Sequence, residues 1–254
     1  MTGRPWVLAE SPWKVVEEVP YDVAVLPWGA TEAHNRHLPY ATDTIQSERL
    51  SIAAAGRAWE AGARTVVLPA VPFGVNTGQL DIKLCLNMNP STQAALLADL
   101  VDALSRQRVR KLVIVNGHGG NDFKPMIREL QPRTDVFLCL INWYTVLEAR
   151  QYFDEPGDHA GEMETSLLMH FTPDLVLPLQ EAGPGHSRQA RITGMRDGWV
   201  WAPRPWTQVT SDTGVGDPSR ATAEKGQRFA VALVERMAMF LVELAQANTA
   251  DLYG

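Results

Sequence analysis

The sequence predicts an α/β fold in which a mostly parallel sheet is covered by helices on both faces. Three observations carry that expectation. Short apolar, β-branched runs alternate along the chain with segments of helical periodicity. Apolar residues make up 45% of the 254 residues, enough for a real core. The most polar, glycine-containing loops directly follow apolar runs, which in such a sheet puts them outside the carboxyl ends of the strands, where ligands bind. No internal repeat, low-complexity tract or linker divides the chain, so residues 1–254 are read as one domain.

The elements follow in order. Asp22-Val-Ala-Val-Leu-Pro-Trp-Gly29 is a buried strand running into a loop at Pro27 and Gly29. Thr44 to Ala61 has helical spacing, with Asp43 or Thr44 as its cap and Gly62 as its stop. Thr65 to Pro69 is a second strand, and a loop rich in Gly, Asn and Pro runs from Pro72 to about Pro90. Ser91 or Thr92 caps a helix to about Gln107, and Lys111-Leu-Val-Ile-Val115 is a third strand. Phe123 to Leu130 reads as a helix with Asn121 as its cap, Asp135 to Ile141 as a fourth strand and Ala160 to Phe171 as a helix. Residues 172–218, rich in Pro, Gly and Trp, resist assignment, and Thr222 to Ala247 is an amphipathic helix closing the domain.

Composition excludes several function classes. The net charge is −6 and no long run of Lys or Arg occurs, so the basic footprint of a nucleic-acid binder is missing. No stretch approaches the ~18–20 apolar residues of a membrane span. Met1-Thr-Gly-Arg-Pro-Trp6 lacks the apolar run of a signal peptide, so a cytoplasmic enzyme is expected. Cys85 and Cys139, both in apolar surroundings, read as buried thiols of a reducing compartment.

Four of the six histidines (His34, His37, His118 and His159) sit in polar, glycine-containing loops beside carboxylates. In Glu32-Ala-His34, two side chains two residues apart on extended backbone project the same way, and Asp43 arrives from the start of the next helix. Oxygen and imidazole donors without thiolates suit a divalent metal, Zn first, with Mn or Fe as alternatives. A carboxylate such as Asp43 can bridge two ions ~3.5–4 Å apart. The rival reading, a Glu–His–Asp network that only pins a loop, loses ground at Asn116-Gly-His118-Gly-Gly-Asn121. There a histidine stands between glycines at a strand end, and neither a GxGxxG nor a GxxxxGK[ST] phosphate loop is present.

The third cluster is Asp158-His159-Ala-Gly-Glu162-Met-Glu164-Thr-Ser166. Glu162, in the first helical turn, is expected to be solvated and favoured by the helix dipole. Glu164 enters an apolar helix, where a lone carboxylate is costly; a metal or a metal ligand is its candidate partner. His159, if not a ligand, can act as a general acid or base.

Together these clusters resemble the creatininase (creatinine amidohydrolase) family. The family pattern stands here as Gly29-Ala-Thr-Glu32-Ala-His34 with Asp43, Asn116-Gly-His118, and Asp158-His159-Ala-Gly161 with Glu164-Thr-Ser166. A fourth match is Gly214-Val-Gly-Asp217-Pro218 followed by Ala221-Thr-Ala-Glu224-Lys-Gly226, so the resemblance runs from about residue 20 to 230. It implies a three-layer α/β/α sandwich, a binuclear metal site and a homo-oligomer, usually a hexamer. It also implies that Glu32, Asp43 and His118 hold one metal, that His34 and the bridging Asp43 hold the other, and that His159 is the catalytic histidine.

The chain departs from the pattern in two places. Creatininases carry a metal-ligating Glu where this chain has Gly120; Glu164 is the nearest substitute, and otherwise a single ion binds. Where relatives often read Phe-Pro-Gly-Thr, this chain has Leu86-Asn-Met-Asn-Pro-Ser-Thr92, which points away from creatinine as substrate. Members with Asn-Gly-His-Gly-Gly-Asn include formamide hydrolases and a keto-inositol hydrolase. The segment Trp199-Val-Trp201-Ala-Pro-Arg204-Pro-Trp206 is either a lid that stacks on a flat substrate or a subunit contact.

The expected function is hydrolysis of a C–N amide in a small molecule by a metal-activated water, with one or two divalent ions per chain and His159 and Glu164 as catalytic groups. Ring-opening of a keto-inositol or lactone is the runner-up. A non-catalytic ligand-binding scaffold is the reading from another class. A metallophosphoesterase fits less well, because Arg36 is the one basic residue in the ligand-bearing loops.

Overall fold

The structure is a computed structural model describing residues 3–253. In chain order its elements are α1 (Trp13–Val16), β1 (Val23–Trp28), α2 (Thr42–Glu60), β2 (Thr65–Val67), α3 (Pro90–Arg106), β3 (Lys111–Asn116), α4 (Lys124–Leu130), β4 (Phe137–Asn142), α5 (Glu162–Phe171), α6 (Thr193–Arg196), α7 (Trp206–Val209) and α8 (Ala223–Gln246). The strands form one parallel sheet in the order β2-β1-β3-β4.

The sheet is the middle of three layers because its residues alternate between two cores. Val23 and Val25 of β1, with Val113 and Val115 of β3, pack beneath Leu50 and Ala54 of α2, Leu167 of α5 and Phe229 and Leu233 of α8. Ala24, Leu26 and Trp28, with Leu112 and Ile114, face Leu97 and Val101 of α3 and Met126 of α4. Right-handed crossovers explain the division: the chain leaves β1 in one direction to reach β2, then reverses to reach β3 and β4, so α2 falls on one face and α3 and α4 on the other. The reversal makes the gap between the carboxyl ends of β1 and β3 the topological switch point. At the outer edge of β2, the Val67 N–H donates to the Trp6 carbonyl at 2.8 Å, so this edge is not left bare.

The amphipathic closing helix forms as predicted. Thr222 caps it, its hydroxyl accepting from the Lys225 N–H at 3.2 Å, and Phe229, Leu233, Met237, Leu241 and Leu244 are its buried stripe. Gly226 lets α8 cross α5 closely, since a Cβ there would stand 1.9 Å from the Ser166 carbonyl oxygen.

Several helix starts differ from expectation. α2 begins at Thr42, so Asp43 lies in its first turn rather than capping it. α3 begins at Pro90, whose fixed φ suits the first helical position, and neither Ser91 nor Thr92 caps it. α5 begins at Glu162 rather than Ala160, because Ala160 has a φ of 52° and breaks the helical path. Residues 172–218 hold only single-turn helices and loops. Cys85 and Cys139 are both free, the first buried and the second half-buried. Among the described residues, no helix is long and apolar enough to cross a membrane.

Candidate metal centre

The loop after β1, the first turn of α2, the loop after β3 and the start of α5 meet at the switch point. They bring Glu32, His34, Asp43, His118, His159 and Glu164 into one buried cluster. The first loop is pinned at both ends. Gly29 lies against α2, where a Cβ would approach the Thr44 nitrogen to 2.4 Å. Beyond His34, Asn35 turns the chain at a φ of 54°, and its amide exchanges hydrogen bonds with the Gly183 N–H and C=O at 2.8 and 2.9 Å.

Each of the three imidazoles gives one ring nitrogen to a backbone carbonyl and turns the other towards the carboxylates. His34 Nδ1 donates to the Glu32 carbonyl at 3.1 Å, and its Nε2 lies 2.9 Å from Asp43 Oδ1. His118 Nε2 donates to the Val75 carbonyl at 3.0 Å, and its Nδ1 lies 2.8 Å from Glu32 Oε1 and 3.2 Å from Asp43 Oδ2. His159 Nε2 donates to the Ala33 carbonyl at 2.8 Å, leaving Nδ1 3.8 Å from Glu32 Oε1. A carbonyl on one nitrogen fixes the tautomer that presents a lone pair on the other, which is how metal-ligating histidines are oriented.

The carboxylates are arranged to share what the imidazoles face. Asp43 directs Oδ1 to His34 and Oδ2 to His118, and Oδ2 is a buried oxygen without a hydrogen-bond partner. Glu32, Asp43 and His118 offer donor atoms within 4.8 Å of one another, and so do His34, Asp43 and Glu164. A third such group is Glu32, His34 and His159. No Lys or Arg among the described residues pairs with Glu32, Asp43 or Glu164, so three buried carboxylates lack a fixed cation.

Electrostatics report the same imbalance. Burial pulls the His34 pKa down, but Asp43 and, further off, Glu164 and Glu32 outweigh it and raise it to about 10. His118 is raised well above its usual value by Glu32 and Asp43 acting against burial. Asp43 is held well below the carboxylate range: burial opposes this, and His34 and His118 prevail. Burial, reinforced by Asp43 and Glu32, carries Glu164 up to about 7 against the pull of His34. His159 falls below its usual value through burial and the neighbouring His34 charge. Without a metal, the cluster holds protons where it lacks cations; divalent ions fit both this charge deficit and the donor set.

Two readings of neighbouring residues are corrected. Glu162 is fully buried rather than solvated: Lys225 from α8 pairs with it, and the Glu155 N–H donates to it at 2.8 Å. Asn121 does not cap α4, which starts after Phe123; its side chain bonds Asn116, Gln93 and the Val75 N–H and so fixes the loop that carries His118. One contributor was not anticipated. Gln79, from the loop after β2, donates to the second oxygen of Glu32. Nothing in its local sequence marks it, because its partner lies 47 positions away.

Position 120, where the resemblance implies a metal-ligating Glu, has no room for a side chain. A Cβ would come within 2.3 Å of the Val75 carbonyl oxygen and 2.4 Å of His118 Nε2, the two ends of the bond that orients His118. Gly120→Ala is expected to weaken metal affinity by ~10–100-fold, the usual cost of losing an outer partner of a ligand, measured by competition with a chelating dye. Unchanged affinity would show that the Val75 contact does not set His118.

A cleft of about 800 Å³ opens over the cluster, walled by Asn76, Gln93, Asn121, Trp201 and Arg204, and a smaller cavity of about 220 Å³ continues past Tyr144 to Asp43 and Glu164. The tryptophan segment divides its roles. Trp206 is buried and meets the His159 ring edge-on at 5.2 Å, whereas Trp201 stands 85% exposed at the cleft wall.

Comparison with known proteins agrees with this architecture. The family model described as creatinine amidohydrolase matches residues 9–241. A mycofactocin precursor peptide peptidase from Mycolicibacterium smegmatis is 30% identical over 225 residues, covering 84% of this chain and 81% of that protein. A crystal structure from Bacteroides fragilis NCTC 9343, provisionally assigned as a creatinine amidohydrolase, shares 44% identity over the whole of both chains with a TM-score of 0.94. Creatininase structures in a Zn-Zn form and a Mn form, each 20% identical, covering 96% of this chain and 100% of theirs at a TM-score of 0.78, share the fold. The chain belongs to the creatininase family of hydrolases.

Proposed function

We propose that the chain is a metal-dependent hydrolase acting on a C–N amide bond of a small molecule or short peptide. The observation that carries this reading is Asp43, whose two carboxylate oxygens each face a different imidazole held by a backbone carbonyl. Glu32, Asp43 and His118 would hold one ion, and His34, Asp43 and Glu164 a second, with Glu164 in the place of the carboxylate that Gly120 lacks. These two donor groups share Asp43 alone, which favours two ions over one. Zinc and manganese both accept this set of nitrogen and oxygen donors. The cleft lies within the ~300–1,000 Å³ typical of sites for drug-sized ligands, which suits a substrate larger than a single small ring.

When bound, the metal supplies a water of lowered pKa and polarises the substrate carbonyl. The chain supplies the proton transfer. His159 carries its proton on Nε2, committed to Ala33, and burial keeps the ring neutral near pH 7. Its free Nδ1 therefore first accepts a proton from the attacking water and then returns it to the leaving nitrogen, acting first as base and then as acid. Trp206, edge-on to the ring, holds it for both transfers.

The test loads the protein with zinc or manganese and assays N-acyl dipeptides, formamides, creatinine and keto-inositols. Turnover of amides above creatinine is expected; turnover of keto-inositols alone would favour the ring-opening alternative. Metal content below about a tenth of an ion per chain, with no turnover, would favour a non-catalytic scaffold. His159→Asn is expected to keep its metal and lose ~10²–10⁴-fold in kcat. Loss of an ion together with activity would instead make His159 a ligand, through the group it forms with Glu32 and His34.

A further inference from the structure

We propose that Arg204 forms a carboxylate-binding subsite in the cleft, selecting amide substrates that carry a carboxylate a few bonds from the scissile bond. The inference rests on the amide-hydrolase reading for its substrate class and on the geometry of Arg204 for its location.

Arg204 lies in the wall of the large cleft and is held on three sides. Its guanidinium stacks on Trp206 at 4.6 Å, and Nη1 donates to Asp158 Oδ2 at 2.7 Å. Its backbone rests on Gly78, where a Cβ would stand 2.0 Å from the Arg204 carbonyl oxygen. These supports tie it to the metal cluster. Trp206 packs on His159, Asp158 immediately precedes His159, and Gly78 adjoins Gln79, which bonds Glu32. An arginine without a role in the cleft would not need three anchors, each tied to a residue of the candidate centre.

The guanidinium also keeps donors to spare. Only Nη1 is engaged, and Nε and Nη2 make no hydrogen bond among the described residues. The Asp158 pair is half-exposed at both ends, with side chains 51% and 57% accessible, so it orients the guanidinium without desolvating it. The planar fork that remains matches a carboxylate. The two ring contacts in series place the guanidinium no further from the His159 ring than the sum of 4.6 and 5.2 Å. At ~3.3–3.6 Å per extended residue, that reach spans up to three residues beyond the scissile amide. A short peptide tail ending in a free carboxylate fits this distance.

The experiment uses metal-loaded protein and three probes: N-acetylglycylphenylalanine, its carboxamide, and the carboxamide of N-acetylglycylglutamate. Binding is read from tryptophan fluorescence and hydrolysis from released amine, on wild type, Arg204→Met and Arg204→Lys. The free acid is expected to bind at least tenfold tighter than its carboxamide to wild type, equally with it to Arg204→Met, and with an intermediate preference to Arg204→Lys, which keeps the charge and loses the fork. If the glutamate probe binds as the free acid does, the carboxylate recognised can come from a side chain; if it does not, it is the chain terminus. Equal binding of acid and carboxamide by wild type, including no binding of either, overturns the subsite, as does an acid preference that survives in Arg204→Met. An Arg204-dependent preference without hydrolysis leaves the subsite standing and removes the amide-hydrolase reading.

Discussion

Asp43→Asn is expected to abolish stoichiometric metal binding and to lower kcat/KM by at least ~10⁴-fold, about 5.5 kcal/mol of transition-state stabilisation. The substitution is nearly isosteric, so it tests charge and lone pairs rather than packing. Asp43 is the only member common to the two groups that pair His118 and Glu32 on one side with His34 and Glu164 on the other. An amide in its place must turn an NH₂ towards one imidazole and so forfeits an oxygen donor on that side. His118→Ala removes a donor from the first group alone and is expected to lose one ion before the other. Metal analysis by mass spectrometry on both variants, with a thermal melt of the chelated proteins, separates loss of ligand from loss of fold. A fully metallated, fully active Asp43→Asn protein would refute the shared-carboxylate scheme.

Much of this centre was legible because the sheet places local features in common. Glu32, His34 and His118 stand in polar, glycine-containing loops directly after strands, and a parallel sheet brings such loops together whenever the strands are neighbours. The strands were legible because each is a short apolar run, and α8 because its stripe, Phe229 to Leu244, repeats through about four turns. What escaped depends on partners remote in sequence. The burial of Glu162 follows from Lys225, 63 positions away, and the role of Asn121 from Gln93, Asn116 and Val75 on three separate segments. The start of α5 depends on Ala160, whose N–H donates to Glu164 Oε2 at 2.5 Å while its backbone turns left-handed; alanine gives no warning of that conformation. In the tryptophan segment, sequence could not divide a lid from a contact surface, because the difference between buried Trp206 and exposed Trp201 depends on His159, 47 positions before Trp206 in the chain.

Metal-free protein is expected to lose stability as pH rises above neutrality, whereas the stabilisation conferred by metal grows over the same range. The sign follows from which state binds protons more tightly. His34 has its pKa raised from 6.5 to about 10 by Asp43, so its contribution is complete below 6.5 and fades as pH climbs through 10; the interval corresponds to at most about 5 kcal/mol. His118, also raised, acts in the same direction, and Glu164, carried from 4.5 to about 7, adds a loss between those values. His37, lowered to about 4 by burial and the charge on His34, and His159, also lowered, work oppositely: their contribution is present above 6.5 and lost as pH falls. Asp43, held below 3.8, joins them at still lower pH. Metal-free stability should therefore peak between about pH 5 and 6.5 and decline on the alkaline side. Metal reverses the alkaline limb, because it needs the lone pairs that protons occupy: its affinity rises with pH, and its stabilisation follows RT ln(1 + [L]/Kd). Urea midpoints at pH 6, 7.5 and 9, with chelator and with zinc, read both slopes. A chelated protein that grows more stable from pH 6.5 to 9 would show that His34 and His118 are not protonated in the empty cluster. A zinc-induced shift no larger at pH 9 than at pH 6 would show that these imidazoles do not ligate the metal.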